Sequence, residues 1–241
     1  MKEKQKIKKR RFCLLITFLF LTTYVTSQTF KKVNYQDISI YGTELFSIDD
    51  IVANASLNFP TPLILIKTIY IEKELKKNLS LEKVSVFRQV YPFGLKILIK
   101  TRTPIAYSER ILNGKKITGF VDKEGFFLNE RYSDQEIPKE LSSKVFGWKD
   151  KYRETLSKIL NFQKDNNVFF IRITFSPNGF LTLEEKSLKT ILLGFNPKII
   201  GNQLQVINNI KTQINENFTL EKIDNIDLTD PNNPKIKVFK P

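Results

Sequence analysis

The sequence of 241 residues contains no histidine and a single cysteine. Histidine is the only side chain whose unperturbed pKa lies near neutrality, and it is the commonest metal ligand and general base. Its absence excludes Ser/His/Asp and Cys/His catalytic arrangements as well as histidine-ligated zinc sites. A single cysteine excludes an internal disulfide and a cysteine-based zinc domain.

Glycine and proline are also scarce, with 9 and 10 residues, whereas the hydrophobic fraction of 41% and the aromatic fraction of 12% are ordinary. This composition excludes collagen-like, low-complexity and wholly disordered chains. Acidic residues are outnumbered, because 25 Asp and Glu stand against 39 Lys and Arg, which gives a formal net charge of +14.

Much of the basic charge lies at the N-terminus. Residues 1–11 contain seven Lys or Arg and one Glu, and residues 12–30 carry no charge. The uncharged run is long enough for one helix across a hydrocarbon core of ~30 Å. Since a basic flank stays in the cytoplasm, we expect the rest of the chain on the other side of the membrane. The alternatives are a cleaved signal peptide, which exports the same domain, and a basic nucleic-acid-binding tail.

The next region has the pattern of one strand followed by two helices. Alternating apolar residues predict a strand over 33–41 that stops before Gly42. Ser47 and Asp50 form a capping box, which predicts a helix start, and apolar spacing predicts a second helix over 63–78. The face predicted for this second helix contains Ile66, Ile69, Tyr70 and Lys73.

A hairpin follows these helices. Residues 84–90 and 95–100 alternate on either side of a Pro-Gly turn. One helical layer against one sheet face is an economical way to bury a unit this small, which predicts an α+β unit. The second hairpin strand places three apolar side chains on one face: Leu95, Ile97 and Ile99.

A second unit begins near residue 105. It has the pattern of hairpins and two helices, over 150–162 and 197–216. The final hairpin joins 223–228 to 235–239, where Lys alternates with apolar residues. This last segment is a candidate border strand, whose unpaired N–H and C=O groups a partner strand can satisfy. The lysines can equally protect the edge from aggregation, and both roles can hold together.

Carboxylate pairs are the candidates for catalysis that remain. Asp122 with Glu124, and Glu184 with Glu185, could serve as general acid and base. A hairpin turn explains the first pair, and a solvated strand end explains the second. The sequence has no glycine-rich phosphate loop and no metal-ligand spacing. We therefore expect no catalytic residue, no metal, no cofactor, no small-molecule substrate and no nucleic acid.

Several short motifs, in order along the chain, resemble the FtsQ/DivIB family of bacterial cell-division proteins. They are the glycine after the first strand and the segments 88–95, 101–106, 120–126 and 226–228. The chain departs from the family at Thr43, Thr101 and Thr229, where the family usually has Asn, an acidic residue and Arg. The motif residues are Gly42, Pro92, Arg102, Pro104, Ala106, Asp122, Gly125, Asp227 and Leu228.

The resemblance implies an α+β fold with a single N-terminal transmembrane helix, then a POTRA-like β-α-α-β-β domain and a C-terminal mixed α/β sheet domain. It also implies a single-pass protein of the inner (plasma) membrane at the division septum, with a cytoplasmic N-terminus and a periplasmic bulk. The implied boundaries are 1–11 for the tail, 12–30 for the helix, 33–103 for the POTRA-like domain and 104–241 for the C-terminal domain.

The family's function is binding, as a scaffold of the divisome that links ring assembly with septal wall synthesis through FtsB- and FtsL-type partners. By position, an FtsB-type strand would dock on the last strand, and a second contact would use the last POTRA strand at Leu95, Ile97 and Ile99. Another exported POTRA-containing adaptor of outer-membrane assembly or secretion is the alternative, and a wall enzyme ranks third. The residues expected at the first contact are Ile236, Lys237, Val238 and Phe239.

Overall fold

The structure is a computed structural model that describes residues 2–112, 114–130, 143–217 and 223–238. The chain divides into two compact units, Met1–Thr101 and Arg102–Pro241. The fold is mixed α/β, with one apolar N-terminal helix and a large sheet of parallel and antiparallel strands, as the sequence predicts.

The first unit contains the apolar helix, two further helices and five strands in the described residues. In chain order these are α1 Lys2–Phe30, β1 Lys32–Val33, β2 Ile38–Tyr41, α2 Ile48–Asn54, β3 Thr61–Pro62, α3 Thr68–Asn78, β4 Lys83–Gln89 and β5 Gly94–Lys100.

Helix α1 is long and apolar enough to cross a membrane. The segment Arg10–Phe30 has 21 residues and a mean hydropathy of 1.4, and none of it is buried inside the protein. Its threonines do not leave hydroxyl groups unpaired, because Thr17, Thr22 and Thr23 donate to carbonyls three or four residues earlier. A polar group that is satisfied within its own helix is compatible with lipid.

Strand β5 is the centre of a three-stranded sheet in the order β2-β5-β4. It pairs in parallel with β2 and antiparallel with β4. The buried residues of α2 and α3, among them Ile51 and Leu75, contribute to the apolar core of this unit. Leu95, Ile97 and Ile99 are buried in the same unit, so they are core residues and not the exposed contact that the resemblance implies.

Helix α2 begins as predicted, because the Ser47 side chain and Asp50 form the capping box. Helix α3 does not. It begins at Thr68, after a separate 3-10 turn over Leu63–Leu65, and it buries Ile71 and Leu75. Ile69, expected on the apolar face, is 81% exposed. The chain is not helical between Leu65 and Thr68, so helical spacing cannot be carried across that gap. The face predicted for one helix over 63–78 is therefore not the buried face of α3.

The second unit is built mainly of strands, with two helices. Its elements are β6 Ala106–Leu112, β7 Lys115–Val121, β8 Phe127–Leu128, β9 Ser143–Phe146, α4 Arg153–Asn166, β10 Phe170–Phe175, β11 Leu181–Glu185, β12 Lys189–Gly194, α5 Ile200–Asn217, β13 Ile223–Asp227 and β14 Lys235–Val238.

The strands of this unit form one nine-stranded sheet over the described residues, in the order β14-β13-β12-β11-β10-β9-β6-β7-β8. The predicted hairpins β6–β7, β10–β11 and β13–β14 are antiparallel pairs. Helices α4 and α5 contact each other, and their residues Leu156, Ile159 and Ile207 join one core with the strands. That core reaches from β6, β7 and β8 to β13 and includes no residue of β14.

The two faces of β5 allow a matched test of which side of this strand packs in the core of the first unit. We expect Ile97→Ala to lower the free energy of unfolding by about 3 kcal/mol, because it leaves a cavity in the core. Leu98→Ala, on the opposite and partly exposed face, should cost less than about 1 kcal/mol. Urea unfolding of the full chain in detergent, followed by circular dichroism, measures both. Equal losses would contradict the burial of only one face of β5.

Candidate partner-binding edge

The hairpin β13–β14 forms one border of the large sheet. Strand β13 pairs in parallel with β12, and the Leu228 backbone N–H donates to the Leu192 carbonyl oxygen at 2.8 Å. Strand β14 pairs with β13 alone among the described residues. The last described strand therefore lies at the sheet border, where the alternating pattern places it. Its outer row of backbone N–H and C=O groups has no strand partner in the part of the chain that the structure describes.

Strand β14 carries two exposed apolar side chains beside the core. Ile236 is opposite Ile226 in register, and Val238 is opposite Ile223. Directly opposed residues of an antiparallel pair share one face. Ile226 and Ile223 are buried, whereas Ile236 is 49% exposed and Val238 is 55% exposed. The apolar face of the sheet thus continues one strand beyond its helical cover.

The lysines of β14 point to the other face. Lys237 Nζ lies 3.7 Å from Asp224 Oδ2 across the hairpin, with its side chain largely in solvent. Lys235 is exposed as well. Phe239, expected at the same contact, lies outside the described residues.

Asp227 fixes the point at which the chain leaves β13. Its Oδ1 accepts hydrogen bonds from the Thr229 hydroxyl at 2.7 Å and from the Thr229 backbone N–H at 2.9 Å. The hydroxyl bond is the main cause that lowers the pKa of Asp227 below its usual value. Leu228, the next motif residue, is fully buried. These two motif residues therefore anchor the hairpin and leave its outer strand free.

Gln203 and Glu185 support this end of the sheet, and sequence reasoning missed both. Buried Gln203 donates through Nε2 to the Leu193 and Leu228 carbonyl oxygens, each at 2.7 Å. Glu185 was expected in a solvated strand end, but it is buried and lies 3.1 Å from Lys211 Nζ. A lone helical glutamine and a charged strand end both look like surface residues in sequence.

A second group of motif residues forms a buried ion-pair cluster. Arg102 Nη1 lies 2.5 Å from Asp122 Oδ2 and 2.8 Å from Glu124 Oε2. Burial alone would lower the pKa of the Arg102 guanidinium, but the hydrogen bonds it donates to Glu124 and Asp122 raise it above its ordinary value. Asp122 Oδ1 also accepts the backbone N–H groups of Glu124 and Phe126. The carboxylates considered as an acid–base pair are therefore both bound to one guanidinium.

The remaining motif residues do not join one site. Gly125 has a φ of +76°, and the Trp148 indole N–H donates to its carbonyl oxygen at 3.0 Å. Pro104 is buried between Arg102 and β6, and Ala106 is the buried first residue of β6. Gly42 and Pro92 belong to the first unit, where Gly42 has a φ of +93° and a Cβ would meet the Ile99 carbonyl oxygen. The motif residues are therefore distributed over both units.

Two further features of the second unit bear on ligand binding. In the described residues, no group of three His, Cys, Asp or Glu side chains could hold a metal ion. An open cavity of about 280 Å³ lies between the N-terminal ends of α4 and α5, lined by Tyr152, Phe195 and Gln203. The Tyr152 hydroxyl and Gln203 Oε1 have no hydrogen-bond partner in the described structure.

Comparison with protein-family models finds no match to this chain, and comparison with curated proteins finds no match either. Function must therefore be inferred from the chain's own residues and their geometry.

The two carboxylates bound to Arg102 differ in burial, and this difference provides a test of the cluster. Asp122→Asn should lower the free energy of unfolding by about 3 kcal/mol, because it takes one charge from a buried pair. Glu124→Gln removes a partner whose side chain is 52% exposed, so it should cost less than about 1 kcal/mol. Urea unfolding of the full chain in detergent measures both variants. A larger loss for Glu124→Gln would show that the exposed carboxylate dominates.

The Asp227 turn predicts a pH dependence. Because the folded pKa lies below the ordinary value of about 3.9, the bonds to Thr229 stabilise the hairpin fully above that pH. Their contribution is lost as the pH falls through the folded pKa.

Thr229→Val removes the hydroxyl, so it should raise the pKa of Asp227 toward its ordinary value. An NMR titration of the Asp227 carboxyl carbon measures the shift, with Thr182→Val on β11 as the control. An unchanged pKa of Asp227 in Thr229→Val would contradict the role given to the hydroxyl.

Proposed function

We propose that this chain is a non-enzymatic, membrane-anchored scaffold of the bacterial division machinery, of the FtsQ/DivIB type. Helix α1 would hold it in the inner (plasma) membrane, with the basic tail in the cytoplasm and both folded units outside. The observation that carries the proposal is strand β14, an exposed border strand whose apolar face continues the core of the sheet.

The geometry of β14 supports binding by strand addition. A partner strand beside β14 would satisfy its outer row of backbone groups, and each such hydrogen bond contributes about 1 kcal/mol. Ile236 and Val238 would be covered at the same time, and burial of a half-exposed aliphatic side chain contributes about 1 kcal/mol.

These contributions are too small for a stable complex after the cost of association. A four-residue strand therefore needs a partner that extends onto neighbouring surface. An FtsB-type partner that adds a strand to β14 would therefore have to contact neighbouring surface as well.

The first unit supports the same proposal in a coarser way. Apart from the two-residue strands β1 and β3, its element order β2, α2, α3, β4 and β5 is the β-α-α-β-β order that the resemblance implies for a POTRA-like domain. In the proposed scaffold this unit recruits the protein to the septum, and the second unit binds FtsB- and FtsL-type proteins. Because Leu95, Ile97 and Ile99 are buried, any recruitment contact must use other residues of the unit.

Microscopy of living cells tests the proposed role. A fluorescent protein fused before Met1 should give a band at mid-cell, and a gel should show the fusion at full length. Full-length fusion spread evenly around dividing cells would overturn the division role while keeping the anchor. Release of a small fluorescent fragment would mean a cleaved signal peptide and would favour an exported adaptor of outer-membrane assembly or secretion.

A matched pair of variants tests the edge strand. Ile236→Asp with Val238→Asp should weaken binding of an FtsB-type partner by about tenfold or more, which corresponds to ~1.4 kcal/mol. Lys235→Gln, on the opposite face of the same strand and outside the residues expected at the contact, should change binding less than about threefold. Titration of purified full-length variants against the partner, with circular dichroism as a check on folding, measures both. Equal binding by all variants would remove β14 from the interface.

A further inference from the structure

The first unit exposes a group of apolar side chains that its own core does not use. We call Ile64, Leu65, Ile69 and Tyr70 the α3 patch, because they occupy the turn before α3 and its first residues. Leu65 is 66% exposed and Ile69 is 81% exposed. Neighbouring exposed apolar side chains mark an interaction surface on a folded domain.

The α3 patch is fixed close to the end of the apolar helix. The Leu63 backbone N–H donates to the Lys31 carbonyl oxygen at 3.1 Å, and the Lys31 N–H donates to the Gln28 carbonyl oxygen at 3.1 Å. Helix α1 also contacts the turn Leu63–Leu65 directly. Ile64 and Leu65 therefore follow immediately after a residue that is bonded to the chain leaving α1.

Strand pairing holds this junction rigidly. Lys32 pairs with Pro62, and Val33, which is fully buried, pairs with Thr61. The two residues after Lys31 are thus part of a sheet with the two residues before the turn. No flexible linker separates the α3 patch from the helix that can cross the membrane.

The charges around the α3 patch fit a lipid headgroup region. Lys31, Lys32 and Lys67 are exposed, and the segment 61–71 contains no acidic residue. Glu74, one turn further along α3, accepts a hydrogen bond from the Tyr70 hydroxyl and raises the pKa of that phenol. Aliphatic side chains with tyrosine and flanking lysines are the composition of segments that lie in a membrane interface. Lysine side chains there reach phosphate groups while their methylene chains cover apolar surface.

From these placements we propose that the α3 patch lies against the bilayer that α1 crosses. Ile64, Leu65 and Ile69 enter the boundary between headgroups and acyl chains at the end of α1, and the lysines contact anionic headgroups. Because α1 already holds the unit at the surface, the contact is intramolecular in effect and needs only modest intrinsic affinity. The first unit is therefore seated on the membrane. This surface is separate from the β14 edge, so the proposal rests on the membrane anchor of the proposed function and not on its partner binding.

Lipid-specific quenching tests the seating in the full chain. Protein with Cys13→Ser and a single cysteine at Ile69 would carry an environment-sensitive fluorophore in vesicles of phosphatidylethanolamine and phosphatidylglycerol. Brominated lipids should quench this label at least about twofold more than the same label at Lys77. Lys77 is exposed on the same helix, eight residues and ~12 Å further along its axis.

A substitution separates the patch from the label. With the fluorophore at Ile64, the double change Leu65→Gln and Ile69→Gln should reduce lipid quenching to the level seen at Lys77. The same change should leave the melting temperature unaltered within error, because both side chains are exposed. Unchanged quenching would overturn the role of these side chains.

The native cysteine distinguishes failure of the seating from failure of the anchor. A label on Cys13, in α1, should be quenched by brominated lipid in the wild-type chain. Quenching at Cys13 without quenching at Ile69 would overturn the seating and leave the anchor intact. Loss at both positions would overturn the crossing and the seating together. The fluorophore at Ile69 could also become shielded from water without being quenched by brominated lipid. If this happened only at high protein density, it would assign the α3 patch to a second copy of the chain and overturn the proposal.

Discussion

The second unit depends on apolar burial between two helices and one face of a wide sheet. Residues of α4 and α5 pack on strands from β6 to β13, and the buried core ends at β13. The sheet continues for one more strand. Its apolar residues at 236 and 238 therefore remain half-exposed beside a complete core. The edge is a consequence of the width of the sheet relative to its cover, and two helices of this size cannot extend the burial further.

Each of the covering helices also carries a buried glutamine that bonds to the sheet. Gln163 of α4 accepts the Phe170 backbone N–H at 2.8 Å and the Ser143 hydroxyl at 3.1 Å. Gln203 of α5 reaches the ends of β12 and β13. A buried polar group is costly unless it is paired, so these bonds favour one position of each helix on the sheet. Each amide is paired through one atom only, because Gln163 Nε2 and Gln203 Oε1 have no hydrogen-bond partner in the described structure. Apolar packing drives the association of the helices with the sheet, and the hydrogen bonds of the glutamines determine where each helix lies on it.

Local pattern predicts much of this fold correctly, because alternation and capping depend on neighbours in sequence. The hairpins, the capping box at Ser47 and the border position of the last strand all follow from such signals. Strand order does not. The parallel pairing of β2 with β5 makes β5 central, and no local pattern distinguishes a central strand from the last strand of a hairpin. Burial of Glu185 depends on Lys211, 26 residues away, and is equally invisible in sequence.

The single residue between α1 and β1 has a mechanical consequence. Lys31 is hydrogen-bonded on both sides, and Val33 is already part of the folded unit. Rotation of α1 about its own axis would then turn the first unit with it. In the proposed membrane-anchored scaffold, a partner in the same bilayer would meet a domain that has already lost most of its orientational freedom. The search for a productive encounter would then reduce to lateral diffusion and one rotation, and its entropic cost would fall accordingly.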